Sequence, residues 1–312
     1  MTSSSPDHAS SGRATSPDGL RTLLAKFSSK ESVERASAFR PRESDVFVAT
    51  YSKSGTTLMQ QVVHGLRTRG DMDFRDISEV VPWIEVAHDL GQDLEAQQNA
   101  APRAFKTHFD ADSMPSGGRV VYVVREPIAA LVSFYHFNSG WFMEPGAMNL
   151  ERFALEYVLE RRGRHDYWHH IASWWPRLEQ EDVLPLCYED VVADLGGAVA
   201  RVARFIGVPE EPGRIEIATH QASKAFMQQH PTLWEDALLR ECRNSAMGLP
   251  LELKSTKVRT KDTGDGEAKR LDLVTDAVRE AWAARWTEIV EPVTRCADHA
   301  ALRARIAEMG PY

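Results

Sequence analysis

Three short apolar runs, each followed by a turn and a helical pattern, dominate the order of hydrophobic and polar positions. The runs Asp45–Thr50, Arg119–Val124 and Val183–Cys187 have the length and apolar character of buried strands. Apolar spacing over 58–69 and 128–137 predicts helices after the first two runs. Strands that alternate with helices predict an α/β fold, with a central parallel β-sheet flanked by helices on both faces.

The rest of the chain is mostly helical in pattern, with segments inside Ile215–Gln229, Leu233–Arg243, Val274–Val290 and Ala300–Glu308. Residues 1–19 are rich in Ser, Pro and Gly, and such composition predicts a disordered tail because it buries too little to offset its ordering entropy. No repeat and no linker interrupts the remainder, so residues 20–312 are expected to form one domain.

Composition excludes several classes of protein. No apolar run is long enough to cross a bilayer, and no secretory signal begins the chain. The net charge of −8 argues against non-specific binding of nucleic acid. Cys187, Cys242 and Cys296 lack the paired spacing of a zinc site or a disulfide framework, which favours a reducing cytoplasm.

The segment Thr50–Thr57 (TYSKSGTT) carries the strongest chemical signal. A strand ends, Gly55 permits a tight turn, and threonines open a helix whose free N–H groups attract an anion. Lys53 precedes the glycine, whereas the triphosphate loop G-x-x-x-x-G-K-[ST] has its lysine after the second glycine. Taken alone, the segment is also compatible with an ordinary helix start beside a surface lysine.

Together with four downstream segments in the same order, the loop resembles that of the cytosolic-type sulfotransferases, which use 3′-phosphoadenosine 5′-phosphosulfate (PAPS). The family's loop reads approximately TYPKSGTTW. The other matching segments are VPWIEV at 81–86, RAFKTH at 103–108, VVYVVREPIAALVSFYHF at 120–137 and PLCYEDVVAD at 185–194. A weaker match continues through KVRTKDTGDG at 257–266.

The resemblance implies a cofactor site for PAPS, whose product is PAP. The 5′-phosphosulfate would be bound by Lys53, Ser54, Gly55, Thr56 and Thr57, and the 3′-phosphate by Arg125, Ser133, Arg259 and Lys261. Taken alone, Arg125 would more often form an ion pair with Glu126 or another surface acid, and a solvated basic loop is an alternative for Lys254 and Lys257.

The adenine end departs from the family's pattern. Tyr188 and Ser223 match, but Leu58 and Lys224 replace the two aromatic residues on which adenine usually stacks. Each stacking contact contributes roughly 1–3 kcal/mol in other base-binding proteins, so weaker adenine binding is expected.

The resemblance also implies the catalytic groups of an in-line transfer. His108 would be the base for the acceptor hydroxyl, while Lys53 and Lys106 stabilise the leaving phosphate and the transferring group. No metal is expected, because the lysines supply the positive charge. In relatives the matching segments line the acceptor pocket, and their aromatic residues suit a small apolar, phenolic or lipid-like alcohol; they are Trp83, Phe109, Phe137, Trp141 and Phe142. The same residues are also compatible with the core, Phe137 equally so.

Two other functions are compared with this one. A small-molecule kinase of the phosphate-loop class requires a triphosphate loop and a metal-binding aspartate after a strand, and neither occurs. A catalytically inactive nucleotide-binding protein would have lost the set His108, Lys106 and Lys53, and all three are present. A monomer and a homodimer are equally compatible with the sequence.

Overall fold

Four parallel strands form a central sheet in the order β2-β1-β3-β4. They are β1 (Val46–Thr50), β2 (Ala104–Thr107), β3 (Arg119–Val124) and β4 (Val183–Cys187). The structure is a computed structural model that describes residues 11–160, 166–254, 257–258 and 271–309. The predicted parallel sheet with flanking helices is confirmed, and β3 and β4 coincide with the predicted runs.

The helices connect and cover these strands. The α-helices are α1 (Pro17–Leu24), α2 (Lys30–Ala38), α3 (Thr56–Thr68), α4 (Ile77–Val80), α5 (Pro127–Trp141), α6 (Leu150–Arg152), α7 (Tyr167–Trp174), α8 (Tyr188–Ala193), α9 (Leu195–Ile206), α10 (Pro212–Ala222), α11 (Lys224–Gln229), α12 (Ala237–Met247), α13 (Asp276–Arg285), α14 (Glu291–Thr294) and α15 (His299–Glu308). None of these described helices is both long and apolar enough to cross a membrane.

The two faces of the sheet contribute side chains to two separate hydrophobic cores, because successive side chains of a strand point to opposite faces. Phe47 and Ala49 of β1 belong to one core, together with residues of α1, α5 and α7. Val46 and Val48 belong to the other, which α3, α9 and α10 cover. Burial on both faces explains why β1 is continuously apolar.

A buried ion pair joins β1 and β2 at their amino ends. Asp45 and Arg103 are 0% and 3% exposed in their side chains. Arg103 donates from Nε to Asp45 Oδ1 at 2.9 Å and from Nη2 to Oδ2 at 2.6 Å. This two-point geometry satisfies both charges inside the protein.

The amino-terminal segment differs from its prediction. Residues 11–19 are ordered on the core instead of forming part of a tail. Ala14 is buried, its N–H donates to Phe142 O at 2.8 Å, and its carbonyl accepts from Glu144 N at 2.9 Å. Ser16 caps α1, which begins at Pro17. The composition of residues 11–19 predicted a tail, but strand-like pairing and one helix cap hold this segment in place although it has few apolar residues.

Candidate active site

Three of the parallel strands end at the same edge of the sheet and bring the predicted catalytic segments together. β1 is followed by the loop that contains Lys53, β2 by His108, and β3 by Arg125. Open parallel sheets bind ligands outside the carboxyl ends of their strands. The topology therefore assembles one site from residues more than 70 positions apart in the chain (125 − 53 = 72).

The loop between β1 and α3 has a backbone that requires glycine. Gly55 has φ of 99°, and a Cβ atom there would lie 2.7 Å from a ring carbon of Tyr188. Lys53 also has positive φ, at 68°, and Arg125 Nη1 donates to its carbonyl oxygen at 3.1 Å. Arg125 thus stabilises an uncommon backbone conformation in the loop that is predicted to bind the 5′-phosphosulfate.

Hydroxyl groups line the same loop. Thr56 opens α3, and its Oγ1 lies 2.6 Å from Thr50 Oγ1. Ser54 Oγ is buried without a hydrogen-bond partner among the described residues. A buried hydroxyl without a partner is costly unless a ligand supplies one, so the loop fits an anion with several acceptor oxygens. Thr57 follows within the first turn of α3, where its N–H lacks an intrahelical partner.

Two lysines lie beside this loop, each with its ammonium over an aromatic ring. Lys53 Nζ is 4.4 Å from the ring centre of Phe137, and Lys106 Nζ is 3.8 Å from that of Trp83. Within the described part of the chain, neither ammonium has a carboxylate at ion-pair distance. Burial, followed by the charge of Lys257, lowers the pKa of both Lys53 and Lys106 to about 7. An anionic ligand would restore the charge of both groups.

His108 is held in one tautomer by a hydrogen bond to β1. Its Nδ1 lies 2.7 Å from the carbonyl oxygen of Thr50, which can only accept. The proton therefore resides on Nδ1, and Nε2 of the neutral ring carries the lone pair. Burial and then the charge of Lys106 hold the pKa of His108 well below its ordinary value, so the ring is neutral near pH 7.

Glu85 supports this histidine from the other side and was not predicted from the sequence. Its Oε1 accepts from Thr107 Oγ1 at 3.0 Å and from the backbone N–H of His108. Glu85 is itself buried, and burial raises its pKa. It lies inside the 81–86 segment that marks the family resemblance, which was the available signal.

At the predicted 3′-phosphate end, Glu126, the neighbour of Arg125, caps α5 by accepting from the N–H groups of Ile128 and Ala129. The Arg125 guanidinium lies 4.4 Å from the ring centre of Tyr188. Ser133 is half-buried in α5, two turns beyond the helix start. Arg259 and Lys261 fall outside the described residues.

Of the predicted adenine residues, Tyr188 lies against the loop. Tyr188 begins α8 and packs its ring against the Gly55 backbone. Ser223 caps α11, accepting from Phe226 N at 3.2 Å. Leu58 packs partly buried on the second core, and Lys224 is exposed at the start of α11.

The predicted acceptor aromatics divide into two sets. Trp83, Phe109 and Phe137 are partly exposed, whereas Trp141 and Phe142 are 0% and 1% exposed and belong to the core. The indole N–H of Trp141 is satisfied by Asn244 Oδ1 at 2.9 Å, and its ring stacks on Phe142 at 4.8 Å. Phe137 and Trp141 lie four positions apart on α5, so helical spacing does not separate a lining residue from a core residue there.

Phe27 completes the aromatic wall and was missed. Its ring centre lies 5.3 Å from that of Trp83 and 6.1 Å from that of Phe142. Phe142 in turn lies 6.0 Å from Phe137. The rings therefore form a continuous series from the Lys106 side to the Lys53 side. No local motif marks Phe27, since its position depends on how the amino-terminal helices pack.

The chain is similar to known sulfotransferases over most of its length. The family model described as "Sulfotransferase domain" matches residues 43–261. Human sulfotransferase 4A1 is 30% identical over 204 residues, which cover 63% of this chain and 71% of that protein.

Two solved structures share the fold. Retinol dehydratase in complex with androsterone and the inactive cofactor PAP superposes with a TM-score of 0.67 at 18% identity, covering 89% of this chain and 94% of that one. Mouse sulfotransferase SULT7A1 complexed with PAP gives a TM-score of 0.62 at 19% identity, covering 88% and 95%.

Proposed function

This chain belongs to the sulfotransferase family, and we propose that it transfers the sulfuryl group of PAPS to the hydroxyl group of a small apolar, phenolic or lipid-like alcohol. One observation carries the proposal. His108 Nδ1 is hydrogen-bonded to the carbonyl oxygen of Thr50. The same site contains the ammonium groups of Lys53 and Lys106 and the buried hydroxyl of Ser54, which has no hydrogen-bond partner among the described residues. A proton acceptor and two cations beside an anion-binding loop are the groups that sulfuryl transfer requires.

The residues present fit PAPS at both of its anionic ends. Lys53, Ser54 and the first turn of α3 would hold the 5′-phosphosulfate through charge and hydrogen bonds. Arg125 and Ser133 would hold the 3′-phosphate. PAPS supplies an activated sulfuryl group together with PAP as its leaving group. The complexes of retinol dehydratase and SULT7A1 with PAP support this choice of cofactor.

His108 would take the proton of the acceptor hydroxyl at Nε2. The hydrogen bond from Nδ1 to Thr50 fixes the ring plane, and Glu85 fixes the backbone from which the ring projects. The positive charge that His108 gains is stabilised by the anionic groups that enter with the cofactor. Lys53 would meanwhile stabilise the negative charge that develops on the leaving phosphate, and Lys106 would stabilise the sulfuryl group in transfer.

An apolar acceptor is supported by the aromatic wall of Trp83, Phe27 and Phe137. Such a wall favours an alcohol with a hydrophobic body and offers it few polar partners. Androsterone, which retinol dehydratase binds, is an apolar alcohol of this kind.

Ligand-induced thermal stabilisation tests the reaction class. We expect PAP without added metal to raise the melting temperature, and ATP with Mg²⁺ to have little effect; the opposite ranking would contradict the proposal. Incubation with PAPS and a library of phenols and apolar alcohols, read by mass spectrometry, then identifies acceptors by a gain of one sulfuryl group. If only strongly polar acceptors such as sugars were sulfated, the role of the aromatic wall would be wrong.

A further inference from the structure

A buried ion pair between Lys257 and Asp236 has no role in the proposed transfer. Lys257 Nζ contacts Asp236 Oδ1, and their side chains are only 7% and 3% exposed. The alternative of a solvated basic loop is therefore wrong for Lys257. It holds for Lys254, whose side chain is 42% exposed and pairs with Glu235.

The charge of Lys257 acts on the reacting end of the site. Among charged groups, Lys257 has the largest effect on the pKa of Lys53 and Lys106, which it lowers, and Asp236 opposes it by raising the pKa of both. Lys257 also lowers the pKa of His108. Coulombic influence falls with distance, so Lys257 lies close to the groups that surround the phosphosulfate.

Several contacts fix the pair in this place. Asp236 immediately precedes α12, and the second residue of that helix, Leu238, donates its N–H to Asp76 Oδ2 at 3.2 Å. Asp76 is buried and also accepts from Ser78 N at 2.8 Å. Val258, the neighbour of Lys257, packs on the same core as Leu58 and Tyr188, which flank the loop. The position of Lys257 is thus set by packing on both sides.

The ammonium of Lys257 retains unused donor capacity. It has three N–H donors, and among the described residues it makes no hydrogen bond of good geometry beyond its ionic contact with Asp236. A buried ammonium whose remaining N–H groups lack acceptors is unfavourable unless a ligand supplies them. We propose that Lys257 is a third cation for the 5′-phosphosulfate of PAPS, and that Asp236 positions it. This inference rests on the proposed use of PAPS.

Binding of two nucleotides to the variant Lys257→Met tests the inference. PAP carries phosphates at both ends, whereas adenosine 3′-monophosphate lacks the 5′-phosphate. We expect Lys257→Met to weaken PAP binding about tenfold, the usual size for one hydrogen bond to a charged group. The affinity for adenosine 3′-monophosphate, measured by competition, should stay within about twofold of that of the wild type.

Two further variants serve as controls. Lys254→Met removes the neighbouring exposed lysine and should leave both affinities unchanged. The double variant Asp236→Asn/Lys257→Met removes the whole pair without changing the net charge, so long-range electrostatic effects cancel and the loss of PAP affinity should persist. It also avoids leaving Asp236 buried without a partner.

Two results would overturn the inference. One is wild-type affinity for PAP in the folded double variant. The other is an equal loss for both nucleotides in Lys257→Met, which indicates a structural role or a contact with the 3′-phosphate. Failure of the proposed function would look different, because the wild-type protein itself would then not bind PAP.

Discussion

Buried charged groups occur at both ends of the central sheet, and those at the amino end form an ion pair with each other. At the amino end, Asp45 and Arg103 satisfy each other through two hydrogen bonds between β1 and β2. At the carboxyl end of the same strands, Lys53 and Lys106 lack such a partner among the described residues, and their pKa values are lowered to about 7 by burial. Compensated charge stabilises a fold, whereas uncompensated charge in a site is stabilised only when a ligand supplies the opposite sign.

Substitution of His108 should produce the largest effect at the carboxyl end. We expect His108→Ala to lower the turnover number about 10²–10⁴-fold, because the acceptor hydroxyl loses its base. PAP affinity and the melting temperature should change little, and both are measured alongside steady-state kinetics on an identified acceptor. Unchanged turnover would show that another group takes the proton.

Substitution at the amino end should affect stability instead of function. Asp45→Asn leaves Arg103 buried without its counter-charge and is expected to cost about 3–5 kcal/mol in the free energy of unfolding, measured by urea denaturation. The exposed pair Arg177–Asp182 is the matched control. Asp182→Asn should cost about 1 kcal/mol or less. Similar losses for the two variants would contradict the comparison.

Substitution of Gly55 in the loop between β1 and α3 should affect ligand binding through the backbone conformation. Gly55→Ala places a Cβ 2.7 Å from the Tyr188 ring at a φ of 99°, so either the ring or the loop must shift. We expect a cost of about 1–2 kcal/mol in PAP binding, measured by calorimetry. Gly146 also has positive φ, at 77°, but open space around it. Gly146→Ala should therefore lower stability without weakening PAP binding; equal PAP affinities in the two variants would argue against a role of the loop conformation.

Sequence patterns located the strands that are apolar throughout and missed the others. β3 and β4 have the predicted bounds because burial on both faces leaves a continuous apolar run. β2 has only four residues and includes Lys106, so no period marks it; it is a strand because β1 pairs with it in register. Likewise, the Asp45–Arg103 pair spans 58 positions and has no local signature.

The site was predictable where it follows a motif and not where it depends on packing. Lys53, Lys106, His108 and Arg125 lie in segments that resemble a known family, and the fold brings them to one edge. Phe27 contacts the aromatic wall from an element whose arrangement no short motif encodes. Lys257 begins the weakly matching segment 257–266, but the resemblance assigns it no role. The burial of Trp141 also follows from its tertiary partner Asn244.

The central claim is that the buried Lys53 and Lys106 obtain their counter-charge from an anionic ligand. The number of protons taken up when PAP binds tests this claim most directly. Lys53 and Lys106 have pKa values of about 7 in the free protein, so both are mostly neutral at pH 8, and the anion raises these values on binding. Binding should therefore take up between about one and two protons at pH 8, and PAP affinity should fall as the pH rises above about 7. Calorimetry in two buffers of different ionisation enthalpy measures this number. An uptake of zero, with affinity independent of pH between about 7 and 9, would contradict the account.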